Sequence, residues 1–233
     1  MAKSSDGSVS AITTLPRQTL TDNVYEKIRQ AIVNGELEPG SELSQVDFAQ
    51  RFGVSRVPVR EALRQLQAEQ LLTASAFKRY VVTGLSPDEI IELTEVRECL
   101  EVFALGRTMA AIASGAVDPA RFEQLARQLK VDADVETWLQ GDIDFHRALS
   151  VGAPQAARMA EDTRVRVHRY LRVAVTGESR RTAVIAEHRT ILDAVGQGDA
   201  AAAEAALREH IGGTRAVLAD YLRRLNGGPA GSA

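Results

Sequence analysis

One stretch of this chain has the composition of β-strands: LLTASAFKRYVVTGLS, residues 71–86, where Thr73, Phe77, Tyr80, Val81, Val82 and Thr83 surround a turn at Ala74 to Lys78. Such residues bounded by small ones predict two short strands, a hairpin too small to carry a core alone. On either side, apolar residues recur at helical spacing. The chain is therefore expected to be mainly α, with the hairpin closing a small N-terminal unit and a larger all-helical unit following it. Its 233 residues and 45% hydrophobic content supply material for two cores.

Residues 1–17, MAKSSDGSVSAITTLPR, are small and polar without sustained periodicity and are read as a flexible arm. Beyond them Val24, Ile28, Ala31 and Ile32 mark a first helix, with Thr21 as its cap, Leu20 and Tyr25 as a hydrophobic staple, and Gly35 as its end. Leu-Glu-Pro-Gly at 37–40 is a turn, and Ser44 with Asp47 opens a short second helix that reaches Arg51 and is broken by Gly53. A third helix lies in FGVSRVPVREALRQL, residues 52–66. With Ser55 as N-cap, Pro58 falls in the first turn, where backbone N–H groups have no intrahelical acceptor and proline costs little. Val59, Leu63 and Leu66 then form an inward stripe, while Arg56, Arg60 and Arg64 line a different face.

Three short helices and a hairpin over residues 18–85, with the third helix cationic, predict a winged helix-turn-helix. A helix fits the major groove of a duplex, where Arg56 or Arg60 can donate two hydrogen bonds to guanine O6 and N7, while other cations bind phosphates. An ordinary solvated cationic face is the alternative. Net charge does not decide between them: residues 1–85 hold 10 Lys and Arg against 9 Asp and Glu, the remainder 18 against 22, for a total of −3.

Ser86-Pro87-Asp88-Glu89 is a helix start, and Ile90, Leu93, Val96, Leu100 and Leu105 continue its period. Further helices are expected at about 118–131, 133–150, 154–175, 180–196 and 199–224, separated by Gly115, Gly152-Ala153-Pro154, Thr176-Gly177 and Gly196-Gln197-Gly198. This predicts an all-α bundle of about six helices over residues 86–225, with 226–233 a disordered tail. One cysteine, Cys99, leaves no internal disulfide framework and is expected to be a small buried hydrophobe. The chain shows no secretory leader pattern and no apolar run of roughly 18 residues, so a reduced, cytoplasmic setting without membrane contact is expected.

The chain has four histidines. Asp142 and His146 sit one helical turn apart, and His188 and His210 lie on two later helices. Three imidazoles and a carboxylate suit a divalent metal such as Zn, with Ni or Mn as alternatives. Separate histidines on separate helices also serve as exposed or hydrogen-bonded core residues, and spacing alone does not bring three helices together. His168 falls outside this pattern. It lies in the basic run Arg164 to Arg172, which is expected to alternate solvated arginines with core residues, with room for one arginine to face a pocket.

Residues 35–72, GELEPGSELSQVDFAQRFGVSRVPVREALRQLQAEQLL, resemble the DNA-binding domain of the GntR family of bacterial transcription regulators. The resemblance is carried by Gly35, Leu37, Pro39 and Gly40, by Phe52 to Arg56 and by Pro58 to Leu63. It implies DNA-contacting positions at Ser55, Arg56 and Arg60 and a wing that touches the minor groove or backbone. Two positions depart from the family pattern: Gln70 replaces a glycine after the recognition helix, and Lys78-Arg79-Tyr80 stands where Arg-Gly is usual, keeping the charge. The helical half resembles the FCD effector-binding domain of the FadR branch, through residues 95–111, Asp142, Phe145, His146 and Leu149, Glu187, His188, Ile191 and Leu192, and Glu209 with His210. That resemblance implies a metal held by Asp142, His146, His188 and His210, and a small carboxylic-acid effector bound at the ion and paired with Arg97. Arg97 as a mere solvated helix charge is the competing view. The function so implied is a homodimeric regulator of double-stranded operator DNA, not an enzyme. The alternative is a metal-dependent hydrolase using the same three histidines and aspartate.

Overall fold

The computed structural model describes residues 19–74, 79–122, 125, 130–174 and 178–227. The first helix, α1 (Leu20–Val33), is capped by Thr19 rather than Thr21. Thr19 Oγ1 accepts from the Asp22 backbone N–H while the Asp22 carboxylate accepts from that of Thr19, a closed capping box. Leu20 is thus the first residue of the helix and 55% exposed, so it does not take the staple position that Thr21 as cap would have given it. At the far end Gly35, at φ 74°, reverses the chain. Next come β1 (Glu42–Leu43), a strand not anticipated from the sequence, then α2 (Gln45–Phe52) and α3 (Arg56–Ala68), separated by Gly53 in the left-handed conformation. The expected hairpin is β2 (Leu72–Ala74) with β3 (Tyr80–Val82), its connecting residues 75–78 lying outside the described residues. The sheet is antiparallel in the order β1-β3-β2, with Leu43 opposite Tyr80 and Thr73 opposite Val81. Val24, Ile28 and Ile32 of α1 and Val59, Leu63 and Leu66 of α3 are buried with Leu72 and Val82 in one core.

Ser86 caps α4 (Pro87–Ala113) through a second capping box with Glu89, and Pro87 stands at the first turn, where its missing N–H is harmless. The remaining long helices are α5 (Val135–Leu149), α6 (Pro154–Ala174), α7 (Glu178–Gln197) and α8 (Ala200–Gly227). Of the helix expected at 118–131, residues 120–122 and 125 are helical and 130 and 131 are not; the other positions from 123 to 129 are outside the described residues. The arm expected at 1–17, the segment 175–177 and residues 228–233 are outside them as well, while residues 226 and 227, expected in the tail, belong to the last helix. The 27 residues of α4 form the axis, about 40 Å long at 1.5 Å per residue, flanked by α6 and α8, with α7 against α8. One core gathers Leu105, Met109, Phe145, Leu149, Ile191, Leu207 and Ile211 around one end of α4, and a second gathers Ile90, Trp138, Leu139, Val167, Leu171, Leu218 and Leu222 around the other. The polar residues described next lie between these two cores.

The turn between α5 and α6 crosses α4 at close quarters. Gly152 donates its N–H to Thr108 Oγ1 at 2.9 Å, and a Cβ there would stand 2.4 Å from Thr108 N. The two units meet where α1 packs on α6, with Val165 of α6 against the N-terminal core. Cys99, expected inside, is exposed on α4.

Candidate metal centre and nucleic-acid interface

Asp142 and His146 project from the same face of α5, His188 comes from α7 and His210 from α8. All four are buried, with one donor atom from each lying within 4.8 Å of the others. His210 Nε2 is 3.3 Å from both His146 Nε2 and His188 Nε2. Asp142 Oδ1 is 3.5 Å from His188 Nε2 and 3.8 Å from His146 Nε2.

Neighbouring carboxylates set the tautomers of two of these rings. His146 Nδ1 is 2.6 Å from Glu101 Oε2, and His210 Nδ1 is 2.7 Å from Glu187 Oε2. An ionised carboxylate only accepts, so each Nδ1 carries the proton and each Nε2 turns a lone pair inward. Burial alone would raise the pKa of Glu101, but Arg97, His146 and Arg164 around it hold it well below the ordinary carboxylate range. Glu187 is likewise lowered: burial opposes the shift, and His210 and Arg180 outweigh it. Burial pushes His146 down to about 4 despite the pull of Glu101, and it pushes His188 well below the usual imidazole value, with His210 adding to the effect. Among the described residues His188 has no carboxylate behind it and no hydrogen-bond partner at Nδ1. Its plane is fixed instead by Phe145, stacked at 3.7 Å and 11°.

Two inward lone pairs 3.3 Å apart repel each other unless a cation or a donor lies between them. Nitrogens at about 2.0–2.1 Å from a tetrahedral zinc ion stand about 3.3–3.4 Å apart, which matches this spacing. Three imidazoles, an Asp142 whose burial would raise its pKa but which the surrounding histidines and Arg97 hold below the ordinary carboxylate value, and carboxylates behind two of the rings make a donor set that fits a divalent ion.

Arg97 is 2% exposed, which removes the view of it as a solvated charge. Its Nε donates to Glu101 Oε1 at 2.6 Å, and its Nη2 donates to the His146 Nε2 lone pair at 3.0 Å. Sequence reasoning missed Glu101, Glu187, Arg164 and Arg180 as parts of this cluster. Arg164, in the run expected to be mostly solvated, is buried and donates to Glu101 at 2.7 Å and to Glu161 at 3.1 Å. Glu101 was visible as the i+4 partner of Arg97, but no local signal marks Arg164 or Arg180. A narrow cavity beside the cluster is lined by Arg97, Asp142 and His210 at the polar end, by Arg180 and Thr214, and by Trp138, Leu139, Leu171, Val184 and Val217.

On the N-terminal unit, Ser55 has the backbone geometry of an N-cap, yet its side chain caps nothing. An N-cap oxygen accepts from the second or third helical N–H, and the third residue here is Pro58, which has none. The hydroxyl is left uncommitted at the mouth of α3. Arg56, Arg60 and Arg64 are exposed. Arg60 Nε lies 3.1 Å and Arg64 Nη1 3.7 Å from Glu61 Oε1, whereas Arg56 has no ion pair among the described residues. Arg79, at the start of β3, pairs with Glu42 of β1 at 2.5 Å, so β1 ties the wing to the turn before α2. Lys78 lies outside the described residues.

This architecture defines a class: a winged helix-turn-helix DNA-binding protein that carries an all-helical second domain. Residues 92–213 match the FCD domain, and residues 20–82 match the gntR family of bacterial regulatory proteins. The chain belongs to that family, as a transcriptional regulator with an FCD domain. It is 32% identical over 211 residues, 86% of this chain and 84% of the relative, to an HTH-type transcriptional regulator in an unstable DNA locus of Streptomyces ambofaciens. It is 28% identical over 200 residues, 84% and 88% of the two chains, to a probable D-xylose utilization operon transcriptional repressor of Paenarthrobacter nicotinovorans. The structure of E. coli McbR/YncC shares the fold, with a TM-score of 0.73 and 22% identity over 87% of this chain and 98% of that one. Among the described residues no helix is long and apolar enough to cross a membrane.

Proposed function

We propose that this regulator binds operator DNA as a homodimer in the cytoplasm and that a small carboxylic acid, bound at a divalent metal in the helical domain, controls that binding. The observation that carries the reading is the convergence of Asp142, His146, His188 and His210, with Glu101 and Glu187 turning two lone pairs to one point. The ion, zinc on this donor set, would supply a fixed positive charge for the acid's carboxylate. Arg97, whose Nη2 lies 3.0 Å from His146 Nε2, would stand beside the ion with N–H groups to offer the acid's second oxygen. For hydrolysis a free general base would be needed, and both nearby glutamates are committed to arginine and histidine, which supports binding over turnover.

On the DNA side, Arg56 and Arg60 read base edges, Ser55 and Arg64 contact the backbone, and the wing cations Lys78 and Arg79 contact phosphates. The test is operator binding titrated with carboxylic acids, with metal content measured for wild type, His188→Ala and Arg97→Ala. His188→Ala should lose metal and response together, and Arg97→Ala should keep metal while losing response. Full metal and full response in His188→Ala would overturn the site.

A further inference from the structure

Two carboxylates of the helical domain each tie one inward-facing histidine to one arginine of the cavity. Glu101 holds His146 and Arg97. Glu187 holds His210, and its Oε1 accepts from Arg180 Nη1 at 2.9 Å. Arg180 Nη2 also donates to Thr214 Oγ1 at 3.2 Å, and both residues line the cavity that Arg97, Asp142 and His210 border at its polar end. A second guanidinium thus stands along the same cavity, beyond the ring of His210. We infer that the effector is a short dicarboxylic acid, with one carboxylate beside Arg97 and the other on Arg180 and Thr214.

Charge supports a dianion. Asp142, Glu101 and Glu187 carry three negative charges, against three positive charges on Arg97, Arg164 and Arg180. Glu161, the other partner of Arg164, is matched by Arg147. Imidazoles that ligate a metal are neutral, so these groups cancel and a divalent ion leaves two positive charges beside the cavity. A monocarboxylate would neutralise one of them and a dicarboxylate both, and uncompensated charge in a buried site is costly. Arg180 has N–H groups to spare after Glu187 and Thr214, because a guanidinium carries five. The Thr214 hydroxyl accepts from Arg180, so its own proton is free for an incoming oxygen. Between these polar ends the cavity holds only about 20 Å³, so Leu139, Leu171, Val184 and Val217, the apolar side chains that line it, would have to move apart to admit a short methylene chain.

This inference rests on the reading of the four donors as a metal site, and the experiment separates the two. Zinc-loaded full-length protein is titrated calorimetrically with butyrate and succinate, and with valerate and glutarate, for wild type, Arg180→Gln and Thr214→Val, after zinc content is measured in each. In wild type at least one dicarboxylate should bind about 10- to 100-fold more tightly than its monocarboxylate counterpart, the span expected for charge-assisted hydrogen bonds at the second end. Arg180→Gln, which removes the charge, should bring that preference below about threefold, and Thr214→Val should reduce it in part. If both acid types bind wild type equally, the dicarboxylate inference falls and the metal-site reading stands. An undiminished preference in Arg180→Gln overturns the role of Arg180. If zinc-loaded wild type binds neither type, the carboxylic-acid reading falls and the inference with it.

Discussion

Gln70 follows the recognition helix with φ of 60°, a left-handed conformation that glycine adopts freely and a Cβ disfavours. Gln70→Gly should therefore raise stability by about 1 kcal/mol, read as a higher urea midpoint, without changing operator affinity. Ser55 gives a sharper test, because N-cap removal ordinarily costs about 0.5–2 kcal/mol, but here Pro58 removes the third-position donor and the hydroxyl makes no capping hydrogen bond. Ser55→Ala should keep stability within about 0.5 kcal/mol while operator affinity falls; a full capping loss would contradict the geometry. Glu101 is the opposite case, a carboxylate shared by Arg97, Arg164 and His146 with 2% exposure. Glu101→Gln leaves two buried guanidiniums undercompensated, and denaturation of the metal-free protein should show a loss of about 3–5 kcal/mol. Metal affinity, measured by chelator competition, should fall about 10- to 100-fold, because His146 exchanges an ionised carboxylate for a neutral amide, a weaker acceptor that no longer fixes its tautomer by charge.

At the scale of elements, most helices were legible because each carries an apolar period and a start or stop residue of its own. The first cap was misassigned between two threonines, although Thr19 has Asp22 three residues on and Thr21 has Val24, so the capping-box spacing already distinguished them. β1 left no trace in the pattern: two residues cannot show alternation, and Glu42 and Leu43 become a strand only because β3 offers an edge. The candidate ligands could be named through the family resemblance, but their convergence could not be derived, since side chains on three separate helices share no local signal. Arg164 and Arg180 were hidden for that reason, and Cys99 because helical periodicity alone does not tell which face a neighbouring helix covers. Gly152 shows how closely the elements fit. A methyl group there would press on the α4 backbone at Arg107 and Thr108, which cannot swing aside as a flexible side chain can. Gly152→Ala should cost on the order of 3 kcal/mol or more by thermal or urea unfolding, and a neutral result would mean that the turn does not cross α4 so closely.

Over the whole molecule, the joint between the units places α1 directly on α6, the helix whose Arg164 holds Glu101 and, through it, His146. The same helix carries His168, buried at the joint beside Val33 and lowered in pKa chiefly by its burial. These buried histidines give the last prediction, an acid lability whose sign follows from linkage. His146, His188 and His168 have folded pKa values below the ordinary value of about 6.5, so above that pH neither state binds protons at these sites and their contribution is fully present. As pH falls below about 6.5 the unfolded chain takes up protons that the folded chain refuses, and stability is lost progressively down to about 4, where His146 itself titrates. Glu101 and Glu187, held below the ordinary carboxylate value, add a loss of the same sign at the acid end of that window. Urea unfolding of the metal-free protein should therefore show a plateau above about pH 7 and a fall between about 6.5 and 4. His168→Gln should flatten the upper part of that fall, because one protonatable ring has been removed. Bound metal should raise the plateau and make the descent steeper, since protons then also compete for the ligands. A metal-free midpoint that stays level from pH 7 to 4.5 would mean that these imidazoles are not buried in neutral form.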